Sequence, residues 1–186
     1  MKLIFALFML LLVGCPSGSS SSSSSSSETS AAKRPLAGAK LVADGTSWQF
    51  KARDKGYVLE AGDKKIIVDV ESDRVKVEDG SGKTLAKVKT KDAGFKVYGG
   101  DDNAVLRAKR KGDRFKLKRL PADEELDDGG VEVEKNGEMW AVKRKGELVA
   151  EISASVPKHA ASFLAVTEVT FEQRVGMVVH ALELPQ

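Results

Sequence analysis

Between Trp48 and Ile152 the chain repeats one pattern: a few residues alternating apolar and polar, a turn rich in Gly, Asn or Asp, then alternation again. Trp48-Gln49-Phe50-Lys51-Ala52 stops at Asp54-Lys55-Gly56, and Tyr57-Val58-Leu59-Glu60 stops at Gly62-Asp63. Ile66-Ile67-Val68-Asp69-Val70 stops at Ser72-Asp73, and Val75-Lys76-Val77 at Asp79-Gly80-Ser81-Gly82. Later breaks fall at Gly99-Gly100-Asp101-Asp102-Asn103, Lys111-Gly112-Asp113, Asn136-Gly137 and Lys145-Gly146. A period of two sends successive side chains to opposite faces of an extended backbone, so one face can be buried while the other stays wet. Asn-Gly is a strong hairpin signal because both residues tolerate positive φ. The spacing predicts a mainly β protein of eleven or twelve short strands, an antiparallel barrel or sandwich, with no helical pattern before the C-terminus.

Part of the pattern recurs. Val75-Lys76-Val77 and Leu85-Ala86-Lys87-Val88-Lys89 precede Phe95-Lys96-Val97 and Val105-Leu106-Arg107-Ala108-Lys109 by twenty residues. Val131-Glu132-Val133 with Ala141-Val142-Lys143 reads as the same unit with a loop shorter by two. A repeated strand-turn-strand unit suits a sheet built from hairpins.

Within the first copy, Gly82-Lys83-Thr84 matches the end of a phosphate-binding P-loop. That loop needs a Gly five residues before Gly82, where Val77 stands, and a helix after it. The residues after Thr84 alternate as a strand, so no helix N-terminus is available for a phosphate. The stretch is expected to be a hairpin.

The C-terminus changes period. Thr170 with Gln173 three residues on forms a capping box. Phe171, Val175, Val178 and Leu182 share one helical face, and Met177, Val179, Ala181 and Leu184 fill the others. A helix over about 171–183 that is apolar nearly all round is expected to be buried.

Little here supports catalysis. No nucleophile elbow, zinc helix or Ser/His/Asp order is present, although a pair of carboxylates remains an open alternative. The two histidines, His159 and His180, are too few for a histidine metal site, and Cys15 is the only cysteine. Asp123-Glu124-Glu125-Leu126-Asp127-Asp128 lacks EF-hand spacing and reads as a solvated loop. No metal, cofactor or catalytic residue is expected. The net charge of +3 is far from the basic excess of a nucleic-acid binder, so nucleic acid is not an expected partner. The densest charge runs from Arg107 to Arg119, where alternation places Arg107 and Lys109 on one strand face and Lys116 and Lys118 on the next, with Phe115 and Leu117 opposite. A solvated, edge-protecting exterior and contact with anionic lipid or glycan both remain open.

The N-terminus carries a second message. Met1-Lys2 precedes an apolar run from Leu3 to Gly14, too short to span a bilayer comfortably but suited to a secretory signal. Leu12-Val13-Gly14-Cys15 resembles the lipobox of bacterial lipoproteins. The resemblance implies a diacylglyceryl group on the Cys15 thiol, cleavage by signal peptidase II between Gly14 and Cys15, and acylation of the new amino terminus. More than one acyl chain gives a durable tether. Pro16 after Cys15, in place of the Asp that retains enteric lipoproteins in the inner membrane, implies the outer membrane. Ser19 to Ser27 is unbroken serine, the composition of a disordered linker. About 15 to 30 such residues reach roughly 20 to 30 Å. The expected organisation is a signal peptide over 1–14, a lipidated linker over 15–42 and a globular domain over 43–186.

Many short strands, then Gly146-Glu147-Leu148-Val149-Ala150-Glu151-Ile152, Phe163-Leu164-Ala165-Val166 and an apolar terminal helix, resemble the tubby C-terminal-like superfamily. That group includes LURP-one-related proteins and phospholipid scramblases. The resemblance implies a barrel of twelve strands around a central helix, and a link to phosphoinositides or membranes. It transfers no particular residue. The leading expectation is a non-enzymatic binding or scaffolding module tethered in the cell envelope, its partner an envelope protein or lipid. The alternative is a tubby- or scramblase-like protein that contacts anionic lipid through Arg107, Lys109, Lys116 and Lys118.

Overall fold

Each alternating run forms a strand, and each strand pairs with the next in sequence. The computed structural model describes residues 34–112, 114–126 and 130–184, and of Arg114 only the backbone. Gly14, Cys15, the signal segment and the serine run lie outside the described residues, as do Asp127 and Asp128 of the acidic run. The strands are β1 Lys40–Ala43, β2 Thr46–Arg53, β3 Gly56–Ala61, β4 Lys64–Val70, β5 Arg74–Asp79, β6 Thr84–Lys91 and β7 Gly94–Gly99. They continue as β8 Ala104–Lys111, β9 Arg114–Arg119, β10 Glu124–Glu125, β11 Val131–Asn136, β12 Met139–Arg144 and β13 Glu147–Ser153. A short helix α1 (Lys158–Ala161), a 3-10 turn (Ser162–Ala165) and the helix α2 (Phe171–Glu183) complete the chain.

All thirteen strands belong to one antiparallel sheet in the order β10-β9-β8-β7-β6-β5-β4-β3-β2-β1-β13-β12-β11. The strand count exceeds the eleven or twelve expected, because two-residue β10 is too short to show a period. The sheet is open: β10 and β11 are its ends, although they are neighbours in sequence. A closed barrel or a sandwich is therefore not what the strand order describes. β1 closes the long circuit by pairing with β13, Leu41 opposite Ile152.

That pairing moves the domain start. Leu36, Ala39 and Leu41 are buried, and Arg34 donates to the carbonyls of Arg53 and Asp54 while pairing with Glu183 at 3.1 Å. Residues 34–42, expected to belong to the linker, are thus part of the folded unit. Four residues of β1 give too little alternation to read, and their partner strand is more than a hundred residues away.

The repeat is structural in its first two copies; the third, β11–β12, pairs without a register shift. In both the β5–β6 and β7–β8 hairpins the register shifts at the same place, after Val77 and after Val97. Asp79 N–H donates to Lys83 and Gly82 N–H to Asp79, and the same two bonds recur as Gly99 to Asn103 and Asp102 to Gly99. The stretch that resembled a P-loop is the first of these hairpins. Asp79 Oδ1 accepts from the Ser81 and Lys83 N–H groups, so the loop is filled by its own carboxylate.

α2 matches its expected bounds. Thr170 Oγ1 accepts from Gln173 N–H, and Gln173 Oε1 accepts from Thr170 N–H at 2.9 Å. Gln173 to Ala181 are buried without interruption. The helix meets strands spread across the sheet: Phe171 stacks on Trp48 of β2, Glu183 accepts from the Tyr57 hydroxyl of β3, and His180 lies on Phe95 of β7. A sheet can touch one helix at all these points only by curling round it. α1 and the 3-10 turn were not expected; four-residue helices are too short to show periodicity.

Candidate functional site

Alternation along β5 to β9 sends Val75, Val77, Ala86, Val88, Phe95, Val97, Leu106 and Ala108 into the core, each no more than 2% exposed. The residues between them face outward, and most are cationic. Register aligns them. Arg74 lies opposite Lys89, Lys89 opposite Lys96, Lys96 opposite Arg107, and Arg107 opposite Lys118. Five adjacent strands thus carry an unbroken transverse row of five cations, about 19 Å long at ~4.8 Å per strand. Lys76 faces Lys87 and Lys109 faces Lys116 in flanking rows. Like charges directly opposite on a sheet destabilise it, by about 0.2–1 kcal/mol per pair.

The four residues singled out in the sequence come together as a block, Arg107 against Lys118 and Lys109 against Lys116. Three of them already hold carboxylates. Asp123 accepts from Arg107 at 2.6 Å and from Lys118 at 2.8 Å, and Glu125 pairs with Lys116 at 2.5 Å. The hydrogen bond from Lys118, joined by the charge of Arg107, holds the Asp123 carboxyl below its ordinary range. The described part of the acidic run, expected to be a solvated loop, is exposed but not all loop: Glu124 and Glu125 form β10 at the edge beside β9, and Asp123 and Glu125 reach these cations from there. Elsewhere Lys87 is held by Asp102, Arg74 by Glu71 and Lys76 by Glu78. Among the described residues no carboxylate pairs with Lys89, Lys96 or Lys109; Lys89 instead sits 5.0 Å from the Tyr98 ring centroid. The uncompensated centre of the face is Lys89 and Lys96, with Lys109 beside it. Sequence reasoning overlooked these two because no local cluster marks them; the repeat, which sets a cation at equivalent positions of successive strands, was the available signal.

A second feature lies where the sheet fails to close. A cleft of about 920 Å³ separates β9 and the chain after β10 from β11. Phe115, Leu117 and Leu126 form one wall, Val131 to Glu134 the other, and Lys158, His159, Ser162, Phe163 and Val166 also line it. Phe115 and Leu117, expected to face the core, are only half-buried because they front this opening. Arg144 also lines the cleft, tied to the Ala165 carbonyl and to Glu168. His159 stands on α1 at the cleft.

His180 is 1% exposed, with Nε2 3.0 Å from Thr90 Oγ1. Burial lowers its imidazole from 6.5 to about 4, so it is neutral in the folded protein at neutral pH. Burial, then the bond to Glu183, pushes the Tyr57 phenol far above its ordinary value. Both groups join α2 to the sheet, inside the core. Among the described residues no three His, Cys, Asp or Glu side chains gather as a metal site. Comparison with protein-family models, curated proteins and solved structures gives no match.

Proposed function

We propose that this chain is an envelope lipoprotein, anchored by acyl chains on Cys15 and sorted to the outer membrane, whose β domain is a non-enzymatic binding module for an anionic surface. The observation that carries the reading is the cation row Arg74, Lys89, Lys96, Arg107 and Lys118. A fold has no need of five like charges in register, and the arrangement works against sheet stability. An anionic bilayer would offset that cost at about 1 kcal/mol per basic residue near the surface. The tether supplies proximity, turning a weak contact into an effectively intramolecular one.

The contact residues differ in part from those expected at first, with Lys109 common to both. Lys89, Lys96 and Lys109 are the cations open to a headgroup, while Arg107, Lys116 and Lys118 would have to exchange Asp123 and Glu125 for phosphate. The tubby-like reading remains part of this proposal: a sheet curled about an apolar helix, beside a membrane, is in keeping with it. An envelope protein with an acidic surface is the second reading, favoured by the same row.

The test is flotation of a fragment starting at Ala31, which keeps every described element, on neutral and anionic vesicles over a salt series. Binding should require anionic lipid and weaken steeply with salt. Lys89→Glu with Lys96→Glu should reduce it at least tenfold, and Lys116→Glu should do less because Glu125 already screens that site. Salt-insensitive binding, or equal loss from all three changes, would refute the assignment.

A further inference from the structure

We propose that the open seam of the sheet is a binding site for an extended polypeptide segment, added as a strand to the outer edge of β11. The inference does not depend on the basic face, which lies on a different surface of the same sheet.

β11 pairs with β12 over its whole length, Val131 opposite Arg144 through Asn136 opposite Met139, and is the last strand in the order. Its other edge has no strand partner among the described residues. In a strand the N–H and C=O groups of alternate residues point to each side, so β11 presents to the cleft a row of donors and acceptors with no strand partner among the described residues. Only another main chain matches such a row. A lipid chain offers nothing to it.

Side chains define the guest. Val133 is 7% exposed and Val131 half-buried on the inner face, and across the cleft stand Phe115, Leu117 and Phe163. On the outer face of the same strand Glu132 and Glu134 are exposed. Glu134 is held by Lys143 at 2.7 Å, whereas Glu132, which faces the same Lys143 in register, forms no close ion pair among the described residues, so the two carboxylates share one cation. A guest strand would therefore carry apolar residues inward and Lys or Arg outward, the alternation of this sheet's own strands. The volume of about 920 Å³ lies within the range of ligand-sized clefts. Strand addition with main-chain bonds for affinity and alternate pockets for specificity is an established recognition mode.

The experiment uses the full chain in phosphatidylcholine vesicles and, as probe, a capped heptapeptide alternating Lys and Val. Hydrogen exchange of the Val131–Asn136 amides is the readout. The expected result is at least tenfold slowing at alternate amides on adding peptide. N-methylation of the peptide nitrogens on one edge should abolish the slowing, and methylation on the other edge should leave it. Glu132→Gln, at an exposed position and with no like charge set opposite Lys143, should weaken the peptide at least threefold, and Val133→Lys should remove binding if it folds. No slowing would overturn the proposal. So would protection by both methylated peptides, which means charge attraction alone, or equal protection by dodecanoate, which means an acyl-chain pocket.

Discussion

Acidification should destabilise this domain through one buried side chain. His180 packs on the Phe95 ring with centroids 4.9 Å apart and bonds Thr90 Oγ1. Burial lowers its imidazole to about 4, against 6.5 when free in the unfolded chain. Above pH 6.5 neither state is protonated there, and His180 adds no pH dependence. Between about 6.5 and 4 the unfolded state binds a proton that the folded state refuses, so stability falls as pH falls. At 1.36 kcal/mol per pH unit the loss is about 2 kcal/mol by pH 5 and levels off near 3 kcal/mol around pH 4. Urea unfolding of the wild-type chain and of His180→Gln, at about pH 7, 6 and 5, measures it. Glutamine can still bond Thr90 but does not titrate. Exposed carboxylates with lowered values, such as Asp79 and Asp123, act alike in both proteins and cancel in the difference. The stability gap between the two should change by about 2 kcal/mol between pH 7 and pH 5, in favour of the variant at low pH. Parallel pH profiles would refute the reasoning, since a neutral buried imidazole could not then be the cause.

Other substitutions probe the backbone and the packing. Gly94 opens β7 with φ +147°, and a Cβ there would stand 2.1 Å from the Ala108 carbonyl oxygen, so Gly94→Ala should cost about 3 kcal/mol or more in thermal or urea unfolding. At Gly176 a Cβ would meet Val88 Cγ2 at 3.0 Å and Val77 Cγ2 at 3.3 Å. Alanine gains about 1 kcal/mol in an isolated helix, yet here overpacking of about 1–3 kcal/mol should win, giving a net loss of about 1 kcal/mol in the same assay. Thr170→Ala removes the capping oxygen of α2 and should cost about 1 kcal/mol, measured by the shift in urea midpoint.

The basic face was half legible. Alternation near Arg107 to Arg119 told which residues share a strand face, and those four do form a block. It could not tell that Asp123 folds back onto Arg107 and Lys118, because a turn decides that, and turns carry no period. Nor could it align Arg74 with Lys118 across five strands. The cleft left no trace in the sequence, since it is made by strands that do not pair, and pattern records only what each strand does with its own side chains.

What the sequence determined by itself is everything set within a few residues. A period of two fixes which face of each strand is apolar, and Asp79-Gly80-Ser81-Gly82 fixes a hairpin rather than a phosphate loop. Thr170 with Gln173 and the all-round apolar run after them fix a capped, buried helix. Tertiary structure alone decided the rest: that β1 reaches across more than a hundred residues to β13, that the sheet curls round α2 yet stays open between β10 and β11, and that cations from five strands stand in line. Those outcomes depend on register and edge pairing. Both are settled by the shared core and by loop geometry, which bring distant segments together only once the chain has folded.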